Sequence, residues 1–157
     1  MKDQHSDIVA LDNLKVQFSS LKNEIAKIIV GQDKVVEELI LSIFCRGHVL
    51  LVGVPGLAKT LLVKTISDSL GLQFSRIQFT PDLMPSDILG TSVFDPKTTS
   101  FEFKPGPIFS SVVLIDEINR APAKTQSALF EVMAEKQITI DGKTYQMAKP
   151  FIVFATQ

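Results

Sequence analysis

The run Gly53-Val54-Pro55-Gly56-Leu57-Ala58-Lys59-Thr60 sets two glycines, an ammonium group and a hydroxyl within eight consecutive residues. This is the spacing of a phosphate-binding loop. Its main-chain N–H groups can wrap a polyphosphate, Lys59 can reach the terminal phosphates, and the Thr60 hydroxyl can ligate Mg²⁺. Ala58 stands where such loops usually carry glycine. If that position is already helical, alanine costs little and favours the helix start. If it needs a positive φ, the loop is strained. The sequence leaves both branches open.

A second motif follows. Val112-Val113-Leu114-Ile115-Asp116-Glu117 is an apolar strand that delivers two carboxylates at its C-terminal end. Two such carboxylates are often just solvated loop residues, but a phosphate-binding loop upstream gives them a task. Asp116 would hold Mg²⁺, directly or through water, and Glu117 would polarise the water that attacks a γ-phosphate. The interval from Lys59 to Asp116 leaves room for a helix, a strand and an insertion. The strand carrying Asp116 is therefore expected beside the strand preceding Gly53, with both loops opening where open α/β sheets bind ligands.

The elements that must position these groups can be read from periodicity. Leu11, Leu14, Phe18, Leu21, Ile25 and Ile28 recur at steps of three and four, predicting a helix over about 7–28 whose stripe packs on its own domain rather than forming a coiled coil. Asp33 can cap a second helix running to Gly47. Short apolar runs then alternate with helical stretches: strands at 48–52, 73–79, 112–115 and 151–155, and helices at 59–70 and 122–135. This order gives an α/β fold with a parallel sheet covered on both faces. Two segments break the alternation as hairpins. Residues 91–94 and 101–104 flank a polar loop, and 137–140 and 143–147 flank Asp141-Gly142, a strong turn signal. Each is either an edge decoration or a working surface outside the core.

Composition bounds the rest. The 157 residues suit one globular domain, and 45% hydrophobic residues can fill its core. Sixteen basic against seventeen acidic residues give a net charge of −1, so no nucleic-acid backbone is advertised as the main partner. No apolar run approaches the ~20 residues of a membrane span, and no export signal is visible, which points to the cytoplasm. The single Cys45 excludes a disulfide framework and a Cys-rich metal site, and is expected as a small buried hydrophobe. His5 and His48 lack metal-ligand spacing, and no third group completes a triad with Cys45 and His48.

The loop of residues 53–60, the block from Arg76 to Gly90 (RIQFTPDLMPSDILG), Asp116-Glu117-Ile118-Asn119-Arg120-Ala121 and Phe154-Ala155-Thr156-Gln157 together resemble the MoxR family of AAA+ ATPases, over about Ile28 to Gln157. The resemblance implies a P-loop NTPase core over 29–157 with a helical segment over 1–28. It implies two hairpin inserts, and an end before the sensor asparagine, fifth strand, arginine finger and lid of a longer protein. It implies ATP and Mg²⁺ as cofactors. Catalytic roles fall to Lys59, Asp116 and Glu117, and metal contacts to Thr60 and Asp116. Nucleotide contacts fall to Ile29, Val30, Gly31, Gly53, Val54, Pro55, Gly56, Leu57, Ala58, Lys59, Thr60 and Leu61, the first three lining the adenine pocket. It further implies a homo-oligomeric ring whose hairpins face the pore or a protein client, chaperone-like work beside von Willebrand factor A domain proteins, and a restraint of Glu117 by Gln78. A plain polar strand-end residue is the alternative for Gln78.

Three functions compete: an Mg²⁺-dependent ATPase that remodels protein clients, a nucleotide-gated scaffold with little turnover, and a DNA-acting motor. The intact Asp116-Glu117 pair argues against the second. The tips Thr98-Thr99-Ser100 and Asp141-Gly142-Lys143 are mostly polar, with Phe101, Phe103, Lys97, Lys104 and Lys143 nearby, which argues against the third.

Overall fold

A computed structural model describes residues 2–53 and 58–157, with side chains from residue 8 onward; Val54, Pro55, Gly56, Leu57 and the His5 side chain lie outside the described residues. Two helices, α1 (Lys2–Ala26) and α2 (Asp33–Phe44), precede strand β1 (Val49–Leu51). Helix α3 (Lys59–Ser69), strand β2 (Phe74–Gln78) and the short α4 (Pro85–Leu89) follow. A hairpin of β3 (Gly90–Asp95) and β4 (Ser100–Pro105) leads to β5 (Val112–Asp116). A 3₁₀ turn (Ile118–Arg120), α5 (Ala123–Glu135), a second hairpin of β6 (Gln137–Ile140) and β7 (Lys143–Gln146), and β8 (Ile152–Thr156) complete the chain.

The main sheet is parallel in the order β1-β8-β5-β2. Its centre is legible from composition: every residue of β5 and β8 is buried, as their uninterrupted apolar runs require, while β1 and β2 carry partly exposed positions and form the edges. The expectation that the Asp116 strand lies beside the first strand is wrong. β8 sits between β1 and β5, because its side chains are needed on both faces and only an interior slot buries them.

Strand alternation divides the core. Val112, Leu114, Ile152 and Phe154 face α1, α2 and α3, meeting Leu39, Ile40, Leu62 and Ile66. Val113, Ile115, Val153 and Ala155 face α4, α5 and the hairpins, meeting Ile88, Leu129, Val132 and Ile138. Each such large side chain contributes roughly 1.5–3 kcal/mol on burial. The fold is thus a parallel sheet with helices on both faces and two hairpins outside it, as the sequence predicts. No described helix is long and apolar enough to cross a membrane.

Two local expectations are corrected and one open alternative is decided. Helix α1 begins earlier than residue 7, and only the lower half of its stripe packs: Leu21 and Ile25 are buried, whereas Leu11, Leu14 and Ile28 are exposed. Cys45 is exposed, because it terminates α2 on the solvent side of the turn into Arg46. Ala58 takes the strained branch, with φ 49° and ψ 30°. The Asp141-Gly142 turn behaves as read, both residues having positive φ (51° and 74°).

His48 is structural. Its Nδ1 accepts the Val153 N–H at 3.0 Å, so the proton must sit on Nε2, which donates to the Met133 carbonyl at 3.3 Å. Burial lowers its pKa below the ordinary imidazole value, the Met133 bond opposes that, and nearby Lys136 adds to it. Because the folded pKa is depressed, the unfolded chain binds the proton first as pH falls. The stability is fully present above the unfolded value of about 6.5 and is lost as pH drops from there through the folded pKa.

The thermal midpoint of the wild type should therefore fall on going from pH 7.5 to 5.5 by more than that of His48→Asn; an equal fall removes His48 from the account. Ala58→Gly should raise the urea midpoint, since an alanine in the left-handed region costs roughly 1–2 kcal/mol. Glycine's extra freedom in the unfolded chain returns about 0.4–1 kcal/mol of that. The net gain is on the order of 0.5–1 kcal/mol.

Candidate functional site

Parallel pairing carries the C-terminal ends of all four sheet strands to one edge. There an open cleft of about 650 Å³ is lined by Gly53, Ala58, Lys59, Thr60, Asp116 and Glu117, together with Arg76, Gln78, Thr80, Arg120, Thr156 and Gln157. The two sequence motifs therefore meet in space. Helix α3 opens into the cleft with Lys59 and Thr60, and it has neither a side-chain cap nor an acidic residue in its first turn. Its positive end is thus left to an anion. The Lys59 ammonium folds back towards the end of β1, donating to the Gly53 carbonyl at 2.9 Å and to that of Leu51 at 3.5 Å.

Asp116 closes β5 and is only 8% exposed. In the β2–β5 register Gln78 stands opposite Asp116 and Arg76 opposite Leu114, so edge strand β2 presents both polar side chains on the face covered by α3. Arg76 Nε donates to Asp116 Oδ2 at 2.6 Å. The Thr156 hydroxyl donates to Asp116 Oδ1 at 3.2 Å and accepts the Glu117 N–H at 3.1 Å, locking the ends of β5 and β8 together. Glu117 has φ 56° and ψ 53°, which turns its side chain back across the cleft. Its Oε2 accepts from Gln78 Nε2 at 2.9 Å and lies 3.1 Å from Arg120 Nε.

The donor set fits a polyphosphate with a hard divalent cation. An ammonium, a helix N-terminus and two guanidinium groups could receive an anion, and one hydroxyl and one carboxylate could ligate a metal. Among the described residues no cluster of three or more His, Cys, Asp or Glu could hold a metal by itself. Mg²⁺ is commonly held by one or two carboxylates together with substrate phosphates, and Thr60 and Asp116 fit that role.

Not every expected residue arrives here. Val54, Pro55, Gly56 and Leu57 lie outside the described residues. Ile29 is buried between α1 and α2, Val30 is 86% exposed, Gly31 turns the chain at φ 80°, and Leu61 is exposed; none of these four lines the cleft. Conversely, Arg76, Arg120 and Thr156 line it without any role having been legible in the sequence. The alternation Ser75-Arg76-Ile77-Gln78 is the signal that points to the first of them, since two long polar side chains two residues apart on a strand share a face. A second concavity of about 330 Å³, beside Arg46, Lys136 and Lys149, lies towards the opposite end of the sheet and has no carboxylate in its lining.

Comparisons with known proteins bear on the family and the fold. Residues 48–157 match the family model described as "ATPase family associated with various cellular activities (AAA)". The chain is 53% identical over 134 residues to chaperone MoxR1 of Mycobacterium tuberculosis, covering 85% of this chain and 36% of that protein. It is 34% identical over 130 residues to protein MoxR of Methylorubrum extorquens, covering 80% and 38%. A crystal structure from Cytophaga hutchinsonii, provisionally assigned as an ATPase, superposes with a TM-score of 0.82 at 46% identity, over 96% of this chain and 47% of that one. The chain thus spans less than half the length of these relatives. On the family match, the shared motifs and the common fold, this chain belongs to the MoxR family of AAA+ ATPases.

Proposed function

We propose that the cleft binds ATP with Mg²⁺ and hydrolyses it, and that the full-length protein uses this turnover, as a cytoplasmic ring, to remodel a protein client. The carrying observation is the convergence of Lys59 and Thr60 with Asp116 and Glu117 in one cleft, although the two motifs are far apart in sequence. Bound Mg²⁺ would neutralise phosphate charge and orient the γ-phosphate for in-line attack. Thr60 and Asp116 are the residues to hold it. Lys59 exchanges the Leu51 and Gly53 carbonyls for phosphate oxygens, and the α3 N-terminus adds its dipole. Glu117 is the proton acceptor that orients the attacking water.

Glu117 is engaged elsewhere in this state. Gln78 and Arg120 both sit on its Oε2, a geometry that favours a slow resting turnover and supports the restraint implied for Gln78. This is the one observation on the side of the scaffold reading. It also supplies a route for client control, because β2 continues from Gln78 through α4 into the first hairpin. That hairpin ends in an exposed aromatic pair, Phe94 and Phe101, with ring centroids 5.4 Å apart. Lys104 is paired with Glu102, and Asp95 lies on the same hairpin, so the surface suits an apolar protein segment better than a phosphate backbone. Partners with a von Willebrand factor A domain belong to the same proposal.

In the full-length protein, Glu117→Gln should keep ATP affinity while steady-state phosphate release falls by about 10²–10⁴-fold, the usual share of a general base. Retained hydrolysis would remove Glu117 from this role. Gln78→Ala should raise client-free hydrolysis severalfold with ATP affinity unchanged; a fall in rate would instead make Gln78 part of the productive geometry.

A further inference from the structure

We propose that Arg76 is a positioning residue that holds the Asp116 metal site shut against a bare divalent cation and releases it when a nucleotide polyphosphate arrives. This rests on the nucleotide-binding reading above and adds to it an order of arrival. Asp116 is nearly buried, and an ionised carboxylate withdrawn from water needs a compensating charge at every stage. Here that charge is the Arg76 guanidinium, 2.6 Å from Oδ2, with Thr156 on Oδ1. Both carboxylate oxygens are therefore taken, and the pair is already neutral.

A divalent cation approaching alone would meet Arg76 across a few ångströms of partly dry cleft, with Asp116 already paired, Glu117 held by Gln78 and Arg120, and, among the described residues, no cluster of three or more ligands. A polyphosphate changes the balance, since it brings more negative charge than the cation brings positive and offers Arg76 a bidentate acceptor. Arg76 is free to make that exchange. It stands on the edge strand, its side chain is 52% exposed, and it lines the same cleft as Lys59 and Thr60. Metal and nucleotide would then bind with positive coupling, each raising the affinity for the other.

The test is Mn²⁺ binding followed by electron paramagnetic resonance on the full-length protein, with and without ATP. Wild type should bind Mn²⁺ weakly alone and much more tightly with ATP. Arg76→Ala should bind Mn²⁺ alone at least about tenfold more tightly, as expected for loss of a cation a few ångströms away even under solvent screening. That gain should vanish in Arg76→Ala/Asp116→Asn, and Arg76→Lys should restore most of the wild-type exclusion. Circular dichroism checks folding, and Arg76→Gln serves as the second variant should Arg76→Ala misfold. Unchanged Mn²⁺ affinity in the folded variants, with ATP still bound, overturns the role of Arg76 alone. Failure of the wild type to bind ATP at all overturns the nucleotide reading and this inference with it.

Discussion

A carboxylate at the end of a strand buried on both faces is the constraint on which the site depends. β5 and β8 fill the sheet centre with side chains that must be apolar in both directions, and the chain turns polar only where they run out of cover. Asp116 stands at that boundary, too buried to be left unpaired and too close to the edge to be replaced by another apolar residue. Its partners come from three elements that parallel pairing brings to the same place: Arg76 from β2, Thr156 from β8, and the Glu117 amide, reached through the threonine hydroxyl. The rest of the fold can be seen as what keeps those ends level.

The outer parts are tied to this centre by packing. Phe103 on the first hairpin lies 4.3 Å from Tyr145 on the second, ring to ring, and 5.8 Å from Phe109. Ser92 is hydrogen-bonded to the Asp141 carboxylate, so the two hairpins meet at their polar edges as well. At the base of the first hairpin, a Cβ on Gly90 would lie 2.2 Å from the Lys104 carbonyl, and one on Gly106 equally close to that of Ile88. Only glycines let α4 and the hairpin stem approach this closely. Thr125 of α5 bonds the Leu83 carbonyl, joining the helix behind the 3₁₀ turn to the segment leaving β2. The hairpins and the Gln78–Glu117 contact therefore lie along one continuously packed path.

What can be read from sequence divides along physical lines. Local spacing is enough for the acidic strand end, the helices and the Asp141-Gly142 turn, because each is decided by residues a few positions apart. Strand order is not, because whether β8 or β1 flanks β5 depends on which strand most needs burial on both faces, a comparison across the whole sheet. Cys45 misleads because an apolar neighbourhood in sequence says nothing of which side of a helix end faces solvent. Arg76 and Arg120 are visible as residues but not as partners. Their significance lies in ion pairs spanning 40 residues in one case and a left-handed turn in the other.

Two of the chain's strained residues meet at the same cleft. Ala58 and Glu117 both have left-handed φ and ψ without being glycine, and both line it. Such conformations persist only when the surroundings over-determine them. For Glu117 those surroundings are on hand: the Thr156 hydroxyl holds its amide, while Gln78 and Arg120 hold its carboxylate. Ala58 has no side-chain hydrogen bond to secure it, and its conformation leaves the first turn of α3 facing the cleft uncapped. The two strained residues thus play opposite parts. One aims a carboxylate that the protein already restrains, and the other keeps open a helix end whose natural complement is an anion. A site with its acid tied back and its helix end uncapped is what the proposed phosphate ligand would complete.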